Sequence, residues 1–402
     1  MVSLVSSQLE LNMKKLFWLA LPILATFIYF QNQASGASVT ITVNVPATTP
    51  QDSSLSLGGD FNSWNPTSFG YQLDKMPNGQ YQYKFTSIKA GTVLNFKITR
   101  GDWDSVEIAD DGSNRDNRRI LVENEDKKLE LTVADWADLS TKQAPSTIVG
   151  EVILEDIELP TFSGNRHLRI YLPPNYQTSK QRYPVIYMTD AQNLYDRKTA
   201  NAGEWQMDEL MQQLAKNDSA LTSIVVGIDH ASDNRRLEYL PFKTDSFQQA
   251  KGGDFANWMV NELKPYIDKQ YRTKPQRQYT SMLGSSMGGL ITCYTVLTHQ
   301  EVFSKAGCLS SAFLKRLVDE EWLDYIKRSH KRLPTKFHMD MGDNEFGLFG
   351  DNILKETQEV HDAFISAGFD NSEIRNQVIK GGTHDEPSWR DRTLDILTWL
   401  NQ

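Results

Sequence analysis

Tyr279-Thr280-Ser281-Met282-Leu283-Gly284-Ser285-Ser286-Met287-Gly288-Gly289-Leu290 is the stretch on which the fold reading turns. A β-rich run ends in G-x-S-x-G and passes directly into a helical run, Ile291 to His299. A tight strand-to-helix turn pushes a serine hydroxyl out of the sheet. Glycines two residues to either side let neighbouring backbone pass without a Cβ clash. The helix start then offers its dipole and free N–H groups to a developing negative charge. Ser286 is therefore the candidate nucleophile and the Met287 N–H a candidate oxyanion donor.

The pattern continues on both sides of this turn. Before it, Leu168–Leu172, Val185–Met188 and Ile224–Ile228 are short apolar β-rich runs. In Asp254–Tyr271 the apolar positions Phe255, Trp258, Met259, Leu263, Tyr266 and Ile267 recur at spacings of three and four, which predicts a helix. After it come Ala306–Leu309, Phe337–Met341 and Ile374–Ile379. Strand and helix alternation from about residue 150 to 402 predicts a doubly wound α/β domain with a mostly parallel sheet.

A serine hydroxyl needs an adjacent base, and in this arrangement the chain order is serine, acid, histidine. Beyond the helix after Ser286 the histidines are His330, His338, His361 and His384. His330 lies in a basic run, His338 inside a strand and His361 in a polar helix. His384 follows the last strand through Lys380-Gly381-Gly382-Thr383, at a strand's C-terminal end, where open α/β sheets bind ligands. It is the candidate base. The acid belongs on Gly342-Asp343-Asn344-Glu345, and spacing leaves Asp343 and Glu345 both open. The second oxyanion donor belongs on the loop after Val185–Met188, at Ala191 or Gln192.

The remaining chain sets the organisation. Lys14-Lys15, an apolar run Leu16–Phe30, and small residues at Ser35 and Ala37 match a signal peptide over 1–37, with Met13 an alternative start. An exported, secreted or periplasmic protein is expected, with an uncleaved membrane anchor as the other reading. Residues 38–136 show alternating runs such as Val39–Val43, Tyr81–Phe85 and Val93–Ile98, separated by turn signals, which predicts a small β-sandwich. A Ser-, Thr- and Pro-bearing segment, 137–149, reads as a linker to the 150–402 domain.

Composition narrows function further. With 42 Lys and Arg against 51 Asp and Glu, a net charge of −9, no nucleic-acid partner is expected. Two cysteines exclude a disulfide scaffold, and Cys293 and Cys308, in core helix and strand runs, read as buried thiols. The histidines lack zinc spacing, and the oxygen-rich Asp110–Asn114 loop lacks a suitably placed glutamate for calcium. No cofactor or metal is expected.

Residues 150–402 resemble an esterase family of the α/β-hydrolase superfamily that includes enterochelin esterases, feruloyl and acetylxylan esterases and S-formylglutathione hydrolase. The likeness is carried by Asp190-Ala191-Gln192-Asn193-Leu194-Tyr195, Arg235-x-x-Glu238-Tyr239-x-Pro241, Gly284–Gly289, and Gly382-Thr383-His384-Asp385-Glu386-x-x-Trp389-Arg390. Ala191 stands where the nearest branch has glycine. The family's acid lies three residues after a glycine, so the resemblance points to Glu345 over Asp343. It also implies that Arg235, Glu238 and Tyr239 line the substrate pocket, against the alternative of a structural ion-pair cluster. The N-terminal stretch Gly59-Asp60-Phe61-Asn62-Ser63-Trp64-Asn65-Pro66, with Phe96–Trp103 and Asn117-Arg118, resembles starch- and glycogen-binding modules. That resemblance implies sugar stacking on Trp64 and Trp103. Together these point to a serine esterase acting on an acylated glycan or a siderophore. The alternatives are an acyltransferase with the same triad, since the family includes mycolyl-type transferases, and a glycan-binding protein on an inactive hydrolase scaffold.

Overall fold

The computed structural model describes residues 36–402 except 63, 160–163, 202, 218, 245–246, 319, 330–332 and 346–349. Residues 1–35 of the expected signal segment and His330 thus lie outside the described residues, whereas Ala37, the last residue of that segment, already belongs to the first strand.

The N-terminal region is β-rich. Its strands are β1 (Ala37–Asn44), β2 (Ser56–Gly59), β3 (Asp74–Lys75), β4 (Tyr81–Ile88), β5 (Val93–Thr99), β6 (Glu107–Ile108), β7 (Arg118–Leu121), β8 (Lys127–Thr132) and β9 (Asp135–Trp136). A four-stranded sheet, β3-β4-β1-β8, and a three-stranded sheet, β2-β5-β7, enclose one core. Strand β1 shows why: Ala37, Val39, Ile41 and Val43 alternate with half-buried Ser38, Thr40 and Thr42, so one face goes inward.

Strand β5 breaks this alternation. All seven residues are buried, including Asn95, Lys97 and Thr99 on the face away from the sandwich core. That face packs against the following region: Lys97 Nζ donates to the Asn201 carbonyl at 2.6 Å, and Asn114 Nδ2 donates to the Ala200 carbonyl. Burial pushes the Lys97 ammonium down to about 8, against the raising pull of Glu107 and Glu386.

From residue 151 the chain builds an eight-stranded sheet from β10 (Glu151–Leu159), β11 (Gly164–Leu172), β12 (Val185–Thr189), β13 (Ile224–Ile228), β14 (Thr280–Ser285), β15 (Lys305–Leu309), β16 (Lys336–Gly342) and β17 (Ile374–Ile379). Their order is β10-β11-β13-β12-β14-β15-β16-β17. The pairings from β13 to β17 are parallel, whereas β10–β11 and β11–β13 are antiparallel. The expected parallel sheet therefore carries a hairpin at one edge. A hairpin needs only a short turn, whereas each parallel pair needs a crossover.

Both faces of the central strands are covered. In β12, Val185 and Tyr187 enter one apolar cluster, while Ile186 and Met188 enter the other with Leu283, Leu309 and Ile396. This explains why these strands read as continuous apolar runs. Cys293 and Cys308 are free and fully buried. Among the described residues no helix is long and apolar enough to cross a membrane.

Candidate active site

Strand β14 ends at Ser285, and the helix Met287–Thr298 starts one residue after Ser286. Ser286 itself has φ 56° and ψ −126°, a strained conformation for a residue with a side chain. The surrounding backbone holds it there. Its N–H donates to the Leu309 carbonyl at 3.0 Å, and its carbonyl accepts from the N–H groups of Leu290 and Ala312. The flanking glycines are required by space: a Cβ at Gly284 would lie 2.5 Å from the Gly288 carbonyl oxygen, and one at Gly288 2.3 Å from Thr189 Oγ1.

Two loops at the C-terminal ends of neighbouring strands, after β16 and β17, complete the arrangement. His384 Nε2 lies 2.9 Å from Ser286 Oγ, and His384 Nδ1 lies 2.7 Å from Glu345 Oε2. With Nδ1–H donating to the carboxylate, Nε2 remains an acceptor for the serine hydroxyl. Glu345 is 1% exposed. Its Oε1 accepts from Gly342 N at 2.8 Å and from Ser310 Oγ at 2.6 Å. Asp343 is turned elsewhere, and its Oδ1 accepts from Gly381 N at 2.6 Å. Geometry therefore separates the two carboxylates that spacing left equal.

A layer behind the relay has no counterpart in the sequence reading. Ser310 Oγ accepts from Trp389 Nε1 at 2.8 Å and from Arg392 at 2.7 Å, so its own proton is directed to Glu345. Arg392 also grips buried Asp340 with two 2.9 Å bonds. Burial alone would raise Asp340, but hydrogen bonds and charge from His338 and Arg392 hold it down to about 2. Trp389 meets the His384 ring edge-on at 5.1 Å. The i, i+3 spacing of Trp389 and Arg392 on the helix Glu386–Leu400 was the available signal.

The other expected site residues fall in different places. Ala191 is fully buried against Gly227, and the Gln192 side chain bonds both backbone groups of His230. Neither side chain lines the cavity. Asp190 and Asn193, on either side of them, do, together with Met287. Arg235 also lines the cavity and binds Asp190 with both ends, at 2.6 and 2.9 Å. Glu238 and Tyr239 do not line it, which corrects the expectation of substrate contact. Glu238 is fully buried because it neutralises buried Arg166, and Tyr239 is fully buried beneath the Arg235 guanidinium at 5.2 Å.

The cavity over Ser286 measures about 650 Å³. Asp60, Trp64 and Asn117 of the N-terminal region form part of its wall. Trp64 pairs with Trp103, ring centroids 6.4 Å apart and tilted by 35°, and Trp103 is 41% exposed. The two tryptophans therefore form a strip from the cavity wall to the surface. Asp60 Oδ2 accepts from Asn95 N and Nδ2. Glu386 Oε1 accepts from Asn193 Nδ2 at 2.6 Å. Asp60 Oδ1, Glu386 Oε2 and Asn117 Oδ1 have no hydrogen-bond partner among the described residues. Burial raises Asp60 to about 6. Burial, with the nearby charges of Asp385 and Asp190, raises Glu386 to about 8.

Comparisons with known proteins agree with this picture. A family model described as "Putative esterase" matches residues 160–400. An endo-1,4-beta-xylanase/feruloyl esterase of Xylanibacter ruminicola is 28% identical over 227 residues, 55% of this chain and 27% of that protein. An alpha-amylase of Niallia circulans is 37% identical over 101 residues, 25% of this chain and 8% of the amylase. The chain thus spans under a third of either relative's length. The enterobactin esterase FES of Shigella flexneri, solved in the presence of enterobactin, superposes with a TM-score of 0.55 at 14% identity, covering 88% of each chain. That last likeness is one of fold.

Proposed function

The chain belongs to the esterase family and is a carboxylic ester hydrolase, and from that premise we propose that it works through Ser286, His384 and Glu345 on an acyl ester of a hydroxyl-rich molecule, an acylated glycan or a siderophore. The observation that carries this reading is the hydrogen-bond relay of 2.9 and 2.7 Å opening onto the cavity. His384 Nε2 takes the proton of Ser286 Oγ as the oxygen attacks the ester carbonyl. Glu345 orients the ring and stabilises the imidazolium. The Met287 N–H and a backbone N–H at Ala191 or Gln192 receive the oxyanion. His384 then protonates the departing alcohol, and a water activated by the same ring releases the acid.

The N-terminal wall supports the substrate class. A tryptophan beside acceptor oxygens suits the alternating apolar faces and hydroxyl donors of a sugar ring. The amylase likeness points the same way. The Lys14–Phe30 pattern supports export, and with it an extracellular or periplasmic substrate. An intact relay weighs against an inactive scaffold.

The test is turnover of a short-chain chromogenic ester and of feruloylated or acetylated oligosaccharides, beside Ser286→Ala. Wild-type turnover is expected, with loss of several orders of magnitude in the variant. Equal rates in the two proteins would remove Ser286 from the mechanism. Transfer to an added oligosaccharide outrunning hydrolysis would make the protein an acyltransferase.

A further inference from the structure

A second group of carboxylates lies away from the relay. Glu204, Asp208 and Glu209 each present an oxygen such that these atoms lie within 4.8 Å of one another. Glu204 is 6% exposed and Asp208 0%. One oxygen of each of these two is used: Thr147 Oγ1 donates to Glu204 Oε2 at 3.0 Å, and Val149 N donates to Asp208 Oδ2 at 2.7 Å. Glu204 Oε1 has no hydrogen-bond partner among the described residues, and the carboxyls of Asp208 and Glu209 are hydrogen-bonded to each other. None of the three carboxylates makes an ion pair with a described residue. Arg197, the basic side chain whose charge reaches Glu204, pairs at 3.6 Å with Asp116.

The local backbone explains the convergence. Gln206 has φ 60° and ψ 43°, a left-handed turn between Glu204 and the helix Met207–Lys216. The turn brings a residue before the helix back over its first turn, where Asp208 and Glu209 stand. Gathering three carboxyl groups with no cation beside them is unfavourable inside a protein. Oxygens bound to one calcium ion lie about 2.4 Å from it, so they stand no more than about 4.8 Å apart. An all-oxygen, all-carboxylate set selects a hard cation over zinc or copper.

We propose that Glu204, Asp208 and Glu209 form a calcium site that clamps the 146–149 segment onto the esterase region. That segment leads out of the N-terminal region and is already bonded here, with Ser146 and Thr147 on Asp196 as well as Thr147 on Glu204 and Val149 on Asp208. The preceding loop carries Asn193 and Asn201, which line the cavity over Ser286, and Ala200 and Asn201 receive the N-terminal region. The cation is thus structural, holding the two halves of the cavity wall in register. Waters complete its coordination, as calcium takes six to eight oxygens.

The full chain is stripped with EDTA and titrated with terbium, a luminescent calcium substitute, its emission read both by direct excitation and through the tryptophans, of which Trp205 follows Glu204 in sequence. Sensitised emission that calcium displaces is expected, together with a calcium-dependent rise in melting temperature of roughly 5 °C. Asp208→Asn and the gentler Glu209→Gln at a half-buried position should each abolish or weaken both responses. The assignment is overturned if calcium leaves emission and melting unchanged, or if both folded variants respond like the wild type. It is also overturned if magnesium at equal concentration gives the larger shift. A variant that melts higher than a calcium-insensitive wild type would show that the carboxylates share a proton instead.

Discussion

Replacing Glu345 with glutamine tests the relay at its most constrained point. The amide has the carboxylate's shape, so the question is which end faces His384. One carboxylate oxygen receives Gly342 N at 2.8 Å and the Ser310 hydroxyl at 2.6 Å. Ser310 cannot turn round to accept, because Trp389 and Arg392 already donate to its oxygen. Putting the amide NH2 there would oppose two buried donors, at about 1–3 kcal/mol for each group left unpaired. Even about 2 kcal/mol in total is roughly a thirtyfold preference. The NH2 must therefore face His384 Nδ1, which then becomes an acceptor, and Nε2 carries the proton toward Ser286. A protonated Nε2 cannot take the serine proton. The expected loss in kcat is about 10⁴-fold, as for an equivalent acid-to-amide change in a serine triad. KM and the melting temperature should change little. Hydrolysis of a chromogenic acetate ester reads the rate, with Asp343→Asn as control. Because the Asp343 carboxylate bonds only the Gly381 N–H among the described groups, its variant should stay within about tenfold of wild type. Glu345→Gln activity within tenfold of wild type would remove Glu345 from the relay, as would a collapse in Asp343→Asn alone.

Trp64→Ala should lower kcat/KM for acylated oligosaccharides by roughly tenfold while leaving small chromogenic esters nearly unaffected, read in parallel steady-state assays. Arg392→Met should destabilise the fold by about 3–5 kcal/mol, since it strips a buried carboxylate, Asp340, of its cation; denaturant unfolding measures this. The raised Glu386 means that the folded state holds a proton the unfolded chain has released. Its stabilising effect is present below the ordinary carboxylate range and lost as pH rises toward about 8. Melting temperature followed from pH 5 to pH 9 should fall less steeply in Glu386→Gln than in wild type.

The features of this protein that depend on local geometry are legible in its sequence. G-x-S-x-G between a β-rich and a helical run can be read because the turn leaves no room for side chains at Gly284 and Gly288. The central strands are legible because burial on both faces demands continuous apolar runs. His384 is legible because it follows a strand end directly.

Tertiary structure decided what depends on residues distant in the chain. Asp343 and Glu345 sit two positions apart on one loop, and only the meeting of that loop with the His384 loop gives one of them the ring. Glu238 and Tyr239 looked like pocket residues because they accompany Arg235 in a motif. Burying Arg166, far away in sequence, drew Glu238 inward instead. Strand β5 alternates as if Asn95 and Lys97 faced water, and nothing in the sequence around Trp64 says that it lines a cavity. Both face the esterase region, because the two halves of the chain dock there, and no periodicity within either half records the surface it will meet.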